Sequence, residues 1–479
     1  MSVSTGYQTF IGLEIHIQLL TETKAFCSCH VEFGDEPNTH VCPVCLGYPG
    51  VLPALNERAL FMAYQVAEAL NCEISPITVF DRKNYFYPDM PKNYQISQFG
   101  SPIGLNGFIE FPYEGEIRKI RIHDVHLEED AGKMIHAGDI SLVDYNRAGT
   151  PLLEIVTEPD LTSGDETEAF IHYFRRFVRF LKVCNGNMEE GSLRCDANIS
   201  INTIGSGLGT KVEMKNLNSS RFVRLALNHE NARQQKVLEE GSTVHQETRL
   251  WNENRDITVV MRRKEESHDY RYFPEPDLPP FRPDEKYMSS VRESLTELPL
   301  FRQLRIAAEY KLSNDQAAFI TEELERADFF EQCVREGADP VEVFRWLSGD
   351  VLRHLNREHI LLHESTLTPR RLAGLLRLIS EGTIHGKIAK KILQVIFEEN
   401  MDPEKILSEK GMEQITNEDE IRALVRRVID EDPAAAAQAA DGEMKVYGYF
   451  MGLIMKMSSG RADPQITRRI LETEIMQEK

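Results

Sequence analysis

Carboxylate side chains stand inside apolar, strand-like runs between residues 123 and 160 of the chain. Glu154 lies within the apolar run 151–156, where a strand would bury it, and Glu128 and Glu129 begin a run of three adjacent acids. A buried carboxylate is costly unless a metal ion, a cation or a hydrogen bond compensates its charge. Adjacent acids also repel one another, although a solvated loop would explain these three by themselves. Together they predict a site for a hard cation, and with it phosphate chemistry.

A second pair of candidate ligands alternates with apolar residues along the first predicted strand. Glu14 and His16 are separated by one residue, so a strand places both on the same face. Their neighbours Leu13, Ile15 and Ile17 would then face the core. An ordinary solvent-facing alternation explains this pair equally well. The acidic segment at 123–160 is what favours the functional interpretation.

Four of the eight cysteines fall within nineteen residues and predict a zinc knuckle at 27–45. They form a C-x-C pair and a C-x-x-C pair, and they are Cys27, Cys29, Cys42 and Cys45. Close thiolate pairs at the two ends of a loop suit tetrahedral zinc, and four thiolates close the coordination shell, so the site should be structural. Disulfides are the weaker interpretation in a reducing compartment.

Composition limits the class of protein and its partners. Hydrophobic residues make up 41% of the 479 residues, which is enough for sizeable cores, and the net charge is -21. Such a charge repels nucleic acid in general, so a nucleic-acid partner must be held by local patches or by shape. No apolar run reaches membrane-spanning length, and the first residues lack the pattern of a secretory signal. We expect a cytoplasmic protein without membrane association.

The distribution of patterns along the chain predicts an α+β architecture with three domains. Residues 1–295 mix short strand-like runs with helical segments, which is typical of an α+β domain. A proline cluster at 274–280 interrupts regular structure. Helical periodicity dominates after it. We therefore predict a mixed-sheet N-terminal domain over 1–295, an all-α helical domain over 296–405 and a small α-helical tail over 406–479.

The chain lacks the common nucleotide-binding and catalytic signatures but contains two loops that suit the rim of an active site. The chain has no G-x-x-x-x-G-K-[ST] loop, no G-x-S-x-G elbow and no recognisable Ser-Lys-Ser amidase signature. A nucleotide would therefore be held through metal and side chains alone. Loops at 81–92 and 144–151 combine cations, aromatic rings, Gly and Pro, as the rim of an active site would. Arg147 is a candidate phosphate contact on charge and loop position, although ordinary surface turns fit these loops equally well.

Longer motifs of mixed polarity resemble the family of B subunits of the tRNA-dependent amidotransferases. The motifs are GLEIH at 12–16, YPGVLP at 48–53, FDRKNYFYPD at 80–89, YQISQ at 94–98, DYNRAGTPLLEI at 144–155, GSLRCDAN at 191–198 and DYRYFPEPD at 269–277. The likeness runs over essentially the whole chain.

The resemblance implies a heterotrimeric enzyme and a cradle-like catalytic domain. An amidase A subunit frees ammonia from glutamine, and a small C subunit wraps the other two. The B subunit uses ATP and Mg²⁺ to phosphorylate the side-chain carboxylate of mischarged Glu-tRNA(Gln) or Asp-tRNA(Asn). Ammonia then travels through an internal channel and displaces the phosphate. Phosphoryl transfer of this kind needs positioning and charge neutralisation more than covalent help.

The resemblance also implies residue roles. Glu14, His16, Glu129 and Glu154 would be catalytic and would bind Mg²⁺, with Glu128 as a neighbouring ligand. Lys83 and Lys92 would line the ammonia path. Some family members lack the zinc cysteines, but here all four positions are filled, so structural zinc is predicted.

The C-terminal part resembles the family's helical and tail domains, which contact the tRNA elbow. Proteins recognise RNA helices mostly by shape and backbone, which reconciles tRNA binding with the acidic net charge. Candidate contacts in the tail are Lys456, Arg461, Arg468 and Arg469. A solvated helix face explains these four residues almost equally well.

Two other functions compete with a transamidase role. A non-catalytic, zinc-containing tRNA-binding scaffold would not need Glu154 inside an apolar strand. A free-standing, metal-dependent phosphotransferase acting on a small acid is disfavoured by the helical tail and by the missing amidase signature. Whether Glu-tRNA(Gln), Asp-tRNA(Asn) or both are substrates does not follow from these residues.

Overall fold

The computed structural model describes residues 6–263, 270–411, 414–440 and 443–477. Asp269, the first residue of the motif at 269–277, lies outside them. The chain divides into two compact units, Met1–Arg302 and Gln303–Lys479. The first unit contains a mixed sheet with helices and the second is helical, so the predicted α+β class is confirmed. The two domain boundaries predicted at 295 and 405 stay a prediction.

All strands among the described residues belong to the first unit. They are β1 Tyr7–Gln18, β2 Glu73–Ile74, β3 Asp81–Asn84, β4 Tyr94–Ser97, β5 Gly104–Tyr113, β6 Glu116–Glu129, β7 Lys133–Ala137, β8 Ile140–Asp144, β9 Pro151–Thr157, β10 Leu193–Thr203, β11 Val212–Lys215, β12 Glu247–Asn252, β13 Ile257–Arg263 and β14 Phe273–Pro274.

A nine-stranded sheet organises this unit, in the order β13-β12-β11-β10-β1-β9-β6-β5-β2. Neighbouring strands are antiparallel except β11 and β12, which are parallel. Strand β1 is central, and Leu13, Ile15 and Ile17 on one face of it are buried in the core. Because side chains alternate along a strand, Glu14 and His16 lie on the opposite, polar face.

Helices pack on the apolar side of this unit. They are α1 Glu57–Ala69, α2 Gly164–Phe180, α3 Ser220–Glu239 and α4 Glu285–Glu293. Helix α2 begins after Ser163, whose side chain accepts a hydrogen bond from the backbone of Glu166, as N-cap serines do. Phe170, Phe174 and Phe177 on its inner face are almost completely buried. Each such side chain stabilises the fold by about 1.5–3 kcal/mol.

Helix α5, Pro299–Glu309, spans the division between the units, and the remaining helices form the second unit. They are α6 Asn314–Ile320, α7 Leu324–Arg335, α8 Pro340–Trp346, α9 Leu352–Glu358, α10 Pro369–Ser380, α11 Gly386–Glu399, α12 Pro403–Glu409, α13 Glu418–Glu431, α14 Pro433–Ala440, α15 Met444–Met457 and α16 Pro464–Gln477. A π-helical turn at Leu347–Val351 joins α8 to α9.

Two separate hydrophobic clusters stabilise the second unit. One gathers buried side chains from Ile306 to Leu407, and the other from Ile421 to Ile475. Within the part of the chain that the structure describes, no helix combines the length and the apolar character that crossing a bilayer requires.

Candidate functional site

Three polar side chains form a row across neighbouring strands on the polar face of the sheet. His16 on β1 is the cross-strand partner of Glu154 on β9, and Glu154 is also the partner of His126 on β6. The Oε2 atom of Glu154 lies 3.2 Å from Nε2 of His16 and 3.0 Å from Nε2 of His126. The register of three strands therefore builds this row, because cross-strand partners share a face.

Glu128 joins the row from β6, two residues beyond His126. Its Oε1 lies 3.7 Å from Nε2 of His16, and Ser97 Oγ donates a hydrogen bond to its other oxygen over 3.2 Å. Ligand atoms of His16, Glu128 and Glu154 all lie within 4.8 Å of one another. One imidazole and two carboxylates at this separation fit a divalent cation, and Mg²⁺ commonly takes one or two carboxylates and completes its shell with water and phosphate.

The charges of the row are strongly coupled. Burial opposes ionisation of Glu154, but hydrogen bonds from His126 and His16 hold its pKa well below the usual range. Burial also disfavours a charged His126, but Asp124 and Glu154 raise its pKa to about 10. Burial and the charge of Glu154 raise the pKa of Glu128, whose side chain is almost fully buried. The carboxylates thus favour protonated imidazoles and the imidazoles favour ionised carboxylates, and a bound cation would compete with the proton on a liganding ring.

The structure keeps two of the predicted ligands out of this group. Glu14 shares the polar face of β1, but its Oε1 accepts a hydrogen bond from Asn198 Nδ2 over 2.9 Å. Glu129 is adjacent to Glu128 on a strand and therefore points to the other face. There it contacts the Lys92 ammonium, and Ile96 N–H donates to its Oε1 over 2.9 Å.

The two lysines predicted for an ammonia path lie on different sides of β6. Lys83 Nζ lies 5.2 Å from the ring centroid of Tyr270. Burial opposes its charge, but Glu128 and neighbouring groups raise the pKa of Lys83, which places it near the carboxylate row. Lys92 Nζ lies 5.6 Å from the ring centroid of Phe26 and is paired with Glu129.

The guanidinium of Arg147, the predicted phosphate contact, donates hydrogen bonds to backbone carbonyls. Its Nε donates to Ala131 O over 2.9 Å and its Nη2 donates to Gly132 O over 2.7 Å. These bonds hold the turn after β6. Arg194 on β10 is better placed for an anion, because it is the cross-strand partner of His16. Its Nη2 lies 3.0 Å from Oδ1 of the buried Asp130.

Sequence reasoning missed three functional candidates, His126, Asp124 and Arg194. The Nδ1 atom of His126 lies 2.9 Å from Asp124 Oδ1, so this ring is held between two carboxylates. The alternation from Asp124 through His126 to Glu128 has the same spacing as Glu14 and His16 and was the available signal. Arg194 stands inside the motif at 191–198.

The cysteine quartet forms a second, separate cluster. The sulfur atoms of all four cysteines, which are free thiols, lie within 4.8 Å of one another. This spacing fits a tetrahedral ion with Zn–S bonds of about 2.3 Å. A hydrogen bond from the Cys27 thiol, supported by the Cys42 backbone and the Lys24 charge, lowers the pKa of Cys45 to about 4. Lys24 is completely buried, and its Nζ lies 3.7 Å from Cys45 Sγ. The cluster could bind a metal such as zinc.

Most of the tail cations are already engaged within the chain. Arg468 Nε lies 2.9 Å from Glu472 Oε1, and Arg469 is paired with Glu418. Arg461 donates to the carbonyl oxygens of Ser458 and Gly411, each over 3.3 Å. Lys456 is exposed and lines a cleft, and unlike Arg468 and Arg469 it forms no ion pair with a carboxylate of the described residues.

Comparison with known proteins decides the family. A family model described as the GatB/GatE catalytic domain matches residues 9–289, and one described as the GatB domain matches residues 328–475. The chain belongs to the family of amidotransferase B subunits. It is 48% identical over 471 residues to the B subunit of the aspartyl/glutamyl-tRNA(Asn/Gln) amidotransferase of Thermoanaerobacter pseudethanolicus, covering 98% of this chain and 99% of that protein.

Other amidotransferase B subunits show the same full-length similarity. The corresponding protein of Brevibacillus brevis is 46% identical over 97% of this chain and 98% of its own length. The corresponding protein of Persephonella marina is 45% identical over 97% of this chain and 99% of its own length. As a member of this family, the chain is part of a multi-subunit carbon–nitrogen ligase that uses glutamine as amido donor.

Proposed function

We propose that this chain activates the side-chain carboxylate of mischarged Glu-tRNA(Gln), Asp-tRNA(Asn) or both by ATP-dependent phosphorylation. Ammonia then converts the acyl phosphate into the amide. The observation that carries the proposal is the ligand group of His16, Glu128 and Glu154, whose atoms converge within 4.8 Å on a polar sheet face. A non-catalytic scaffold has no need for two carboxylates and two imidazoles in one half-buried row.

His16, Glu128 and Glu154 would hold Mg²⁺, which would neutralise phosphate charge during transfer. His126 positions Glu154, because its ring is fixed from the other side by Asp124 at 2.9 Å. Such outer partners fix the orientation of a ligand and tune its basicity. Glu14 keeps its proposed catalytic role at the edge of the site, where it neighbours Asp196 on the adjacent strand.

The proposed phosphate contact is assigned to Arg194 rather than to Arg147. The Nε of its side chain is buried without a hydrogen-bond acceptor among the described residues, while Nη2 faces the Asp130 carboxylate. A planar guanidinium suits a phosphate because it can donate two parallel hydrogen bonds. Asp130, which also accepts a hydrogen bond from Gln18 over 2.8 Å, anchors this arginine beside His16.

The second half-reaction needs ammonia at the same carboxylate. Lys83, Lys92 and Glu129 are proposed to line the path, since Glu128 faces the row and Glu129 faces Lys92 from the next position on β6. Ammonia attacks the carbonyl carbon of the acyl phosphate, the bond from that carbon to the phosphate oxygen breaks, and phosphate leaves. The nitrogen loses one proton and the product is Gln-tRNA(Gln) or Asn-tRNA(Asn).

The proposed assembly follows from the family. An amidase A subunit would supply ammonia from glutamine, a small C subunit would complete a heterotrimer, and the tail at 406–479 would contact tRNA. The cysteine quartet would hold structural zinc, because four thiolates leave no open coordination position. The enzyme would act in the cytoplasm, where aminoacyl-tRNA is used.

Steady-state ADP release by the assembled enzyme tests the proposal. Turnover should depend on mischarged tRNA and Mg²⁺, and Glu154→Gln should abolish it, because the amide keeps the shape of the side chain but not its charge. Glu158→Gln is a matched control just beyond β9, at a partly exposed position whose carboxylate hydrogen-bonds His123. ATP turnover that does not depend on mischarged tRNA would refute the assignment, and so would turnover retained in Glu154→Gln.

A further inference from the structure

A buried lysine lies against the cysteine quartet. Lys24 is completely buried, although a lysine side chain is almost never buried without a partner of opposite charge. Over the part of the chain that the structure describes, no carboxylate forms an ion pair with its ammonium. Its Nζ instead lies 3.7 Å from Cys45 Sγ and donates a hydrogen bond to Tyr145 O over 3.1 Å. The charge of Lys24 therefore needs a negative partner that the carboxylates do not provide.

A metal-loaded quartet would provide that partner. Four thiolates bound to one Zn²⁺ keep a net negative charge, and Cys45 presents its sulfur to the Lys24 ammonium. Removing one member of a buried ion pair is strongly destabilising, because the other charge is left without compensation. The backbone also joins Lys24 to the knuckle, since its N–H donates to Cys29 O over 3.0 Å. The quartet thus contacts both the side chain and the backbone of this lysine.

The other partners of this segment belong to the turn at 145–150, which follows β8. Gly149 O accepts a hydrogen bond from Ala25 N–H over 2.8 Å, and the first carbonyl of the turn accepts the hydrogen bond from Lys24. Gly149 has a φ of +87°, and a Cβ there would lie 3.3 Å from Lys24 Cδ and 3.7 Å from Cys45 Cβ. The 145–150 turn therefore packs directly on the lysine side chain and on the quartet.

The 145–150 turn also holds Asp130, the residue that anchors Arg194. Gly149 N–H donates to Asp130 O over 2.9 Å, and Asp130 N–H donates to Thr150 O over 2.8 Å. These two hydrogen bonds fix the backbone of Asp130, whose Oδ1 lies 3.0 Å from Arg194 Nη2. A continuous series of contacts therefore runs from the quartet through the buried lysine and the turn to the proposed phosphate contact.

We propose that Lys24 is a positioning residue that couples metal occupancy of the cysteine quartet to the placement of Arg194. The inference rests on two parts of the proposed function, zinc in the quartet and phosphate at Arg194. With the metal bound, the ammonium is compensated and holds the 145–150 turn against the knuckle. When the metal is removed, the ammonium loses its partner and the turn loosens. The quartet then stabilises the active site as well as its own knuckle.

Zinc chelation followed by hydrogen exchange tests this coupling in the assembled enzyme. Lys24→Met removes the charge and nearly keeps the length of the side chain, while Lys133→Met makes the same change at an exposed lysine on β7. In wild type, chelation should speed amide exchange at 27–45 and at 145–150. In Lys24→Met the turn should already exchange faster, and chelation should accelerate it by a smaller factor, because contacts in one network are not additive. Lys133→Met should behave as wild type.

Zinc affinity and the KM for ATP give two further readouts. Competition with a chelator should show that Lys24→Met binds zinc about 10–100-fold more weakly than wild type, as the loss of an outer partner of a metal ligand does. The KM for ATP should rise while kcat stays within about twofold of wild type, because a displaced Arg194 weakens nucleotide binding. A fall in kcat with an unchanged KM would indicate general loosening and would overturn the inference.

Equal effects of chelation at 145–150 in wild type and Lys24→Met would also overturn it, because the turn would then sense the quartet by another route. If Lys24→Met does not assemble, chelation of wild type decides: exchange that rises at 27–45 but stays constant at 145–150 would overturn the coupling, and a rise at both supports it. Wild-type protein without zinc would refute the zinc site and this inference together, whereas stoichiometric zinc with equal effects of chelation would refute only the role of Lys24. Zinc binding and hydrogen exchange need no ATP, so failure of the proposed phosphoryl transfer would leave both unaffected.

Discussion

His126 Nε2 lies 3.0 Å from Glu154 Oε2, across the register of β6 and β9. The same carboxylate oxygen lies 3.2 Å from His16, and Asp124 lies on the far side of the His126 ring. Glu154 is thereby fixed in one orientation before any ligand arrives. This relationship makes Glu154 the centre of the proposed site and gives His126 a positioning role that can be separated from metal binding itself.

Replacing His126 should weaken the site without removing it. We expect His126→Gln to raise the Mg²⁺ concentration for half-maximal tRNA-dependent ADP release by about 10–100-fold, as losing an outer partner of a metal ligand does. Turnover should recover at high Mg²⁺, whereas Glu154→Gln should not recover. Mg²⁺ titrations of both variants measure the difference. An unchanged Mg²⁺ requirement in His126→Gln would show that the ring does not position Glu154.

Arg194 and Arg147 should differ in how their loss affects the enzyme. Arg194→Lys keeps the charge but loses the planar donor pair, so the KM for ATP should rise about tenfold or more. Arg147→Lys should leave the KM for ATP near wild type, because that side chain bonds to Ala131 O and Gly132 O. Initial rates at varied ATP distinguish the two. A larger KM effect for Arg147→Lys would return the phosphate contact to the residue predicted from sequence.

The cysteine quartet should hold one zinc ion per chain. Cys42→Ser removes one of four thiolates, so zinc content of the freshly reduced protein should fall, and residues 24–56 should exchange amide hydrogens faster. Cys72→Ser changes a cysteine outside the cluster and should retain zinc. Elemental analysis and hydrogen exchange give the two readouts. Less than stoichiometric zinc in the wild-type protein would contradict the assignment.

Acid should remove one stabilising contact between α13 and α16. A hydrogen bond from Arg426, with a second from Arg422, lowers the pKa of Glu474 below its ordinary value of 4.5. A lowered pKa means that the contribution is present above pH 4.5 and fades as the pH falls below it. At pH 7, Glu474→Gln should speed amide exchange in both helices relative to wild type. This difference should narrow in acid; an equal difference at pH 7 and in acid would show that the ionised carboxylate is not responsible.

Local patterns predicted part of this site. The alternation of Glu14 and His16 correctly places both on the polar face of β1, and the four cysteines lie together as their spacing indicates. The other contacts of the site depend on the register between strands that are distant in sequence. Only the pairing of β1, β9 and β6 reveals that Glu154 meets both His16 and His126.

The choice between adjacent residues also needed the fold. Glu128 and Glu129 look equivalent in sequence, but the pleat of β6 directs Glu128 towards His16 and Glu129 towards Lys92. Arg147 has the charge and loop position of a phosphate ligand, yet its guanidinium donates hydrogen bonds to the carbonyls of Ala131 and Gly132 in the turn after β6. Hydrogen bonds of this kind to the backbone cannot be predicted from residue spacing.

The central claim is that ATP phosphorylates the side-chain carboxylate attached to tRNA, and oxygen transfer tests it most directly. The assembled enzyme is given Glu-tRNA(Gln) or Asp-tRNA(Asn) whose side-chain carboxylate carries ¹⁸O in both positions, with ATP and glutamine. Displacement of an acyl phosphate by ammonia must leave one carboxylate oxygen in the released phosphate. Mass spectrometry should therefore find one ¹⁸O in each phosphate and one in each amide product. Amide formation with unlabelled phosphate would contradict the account.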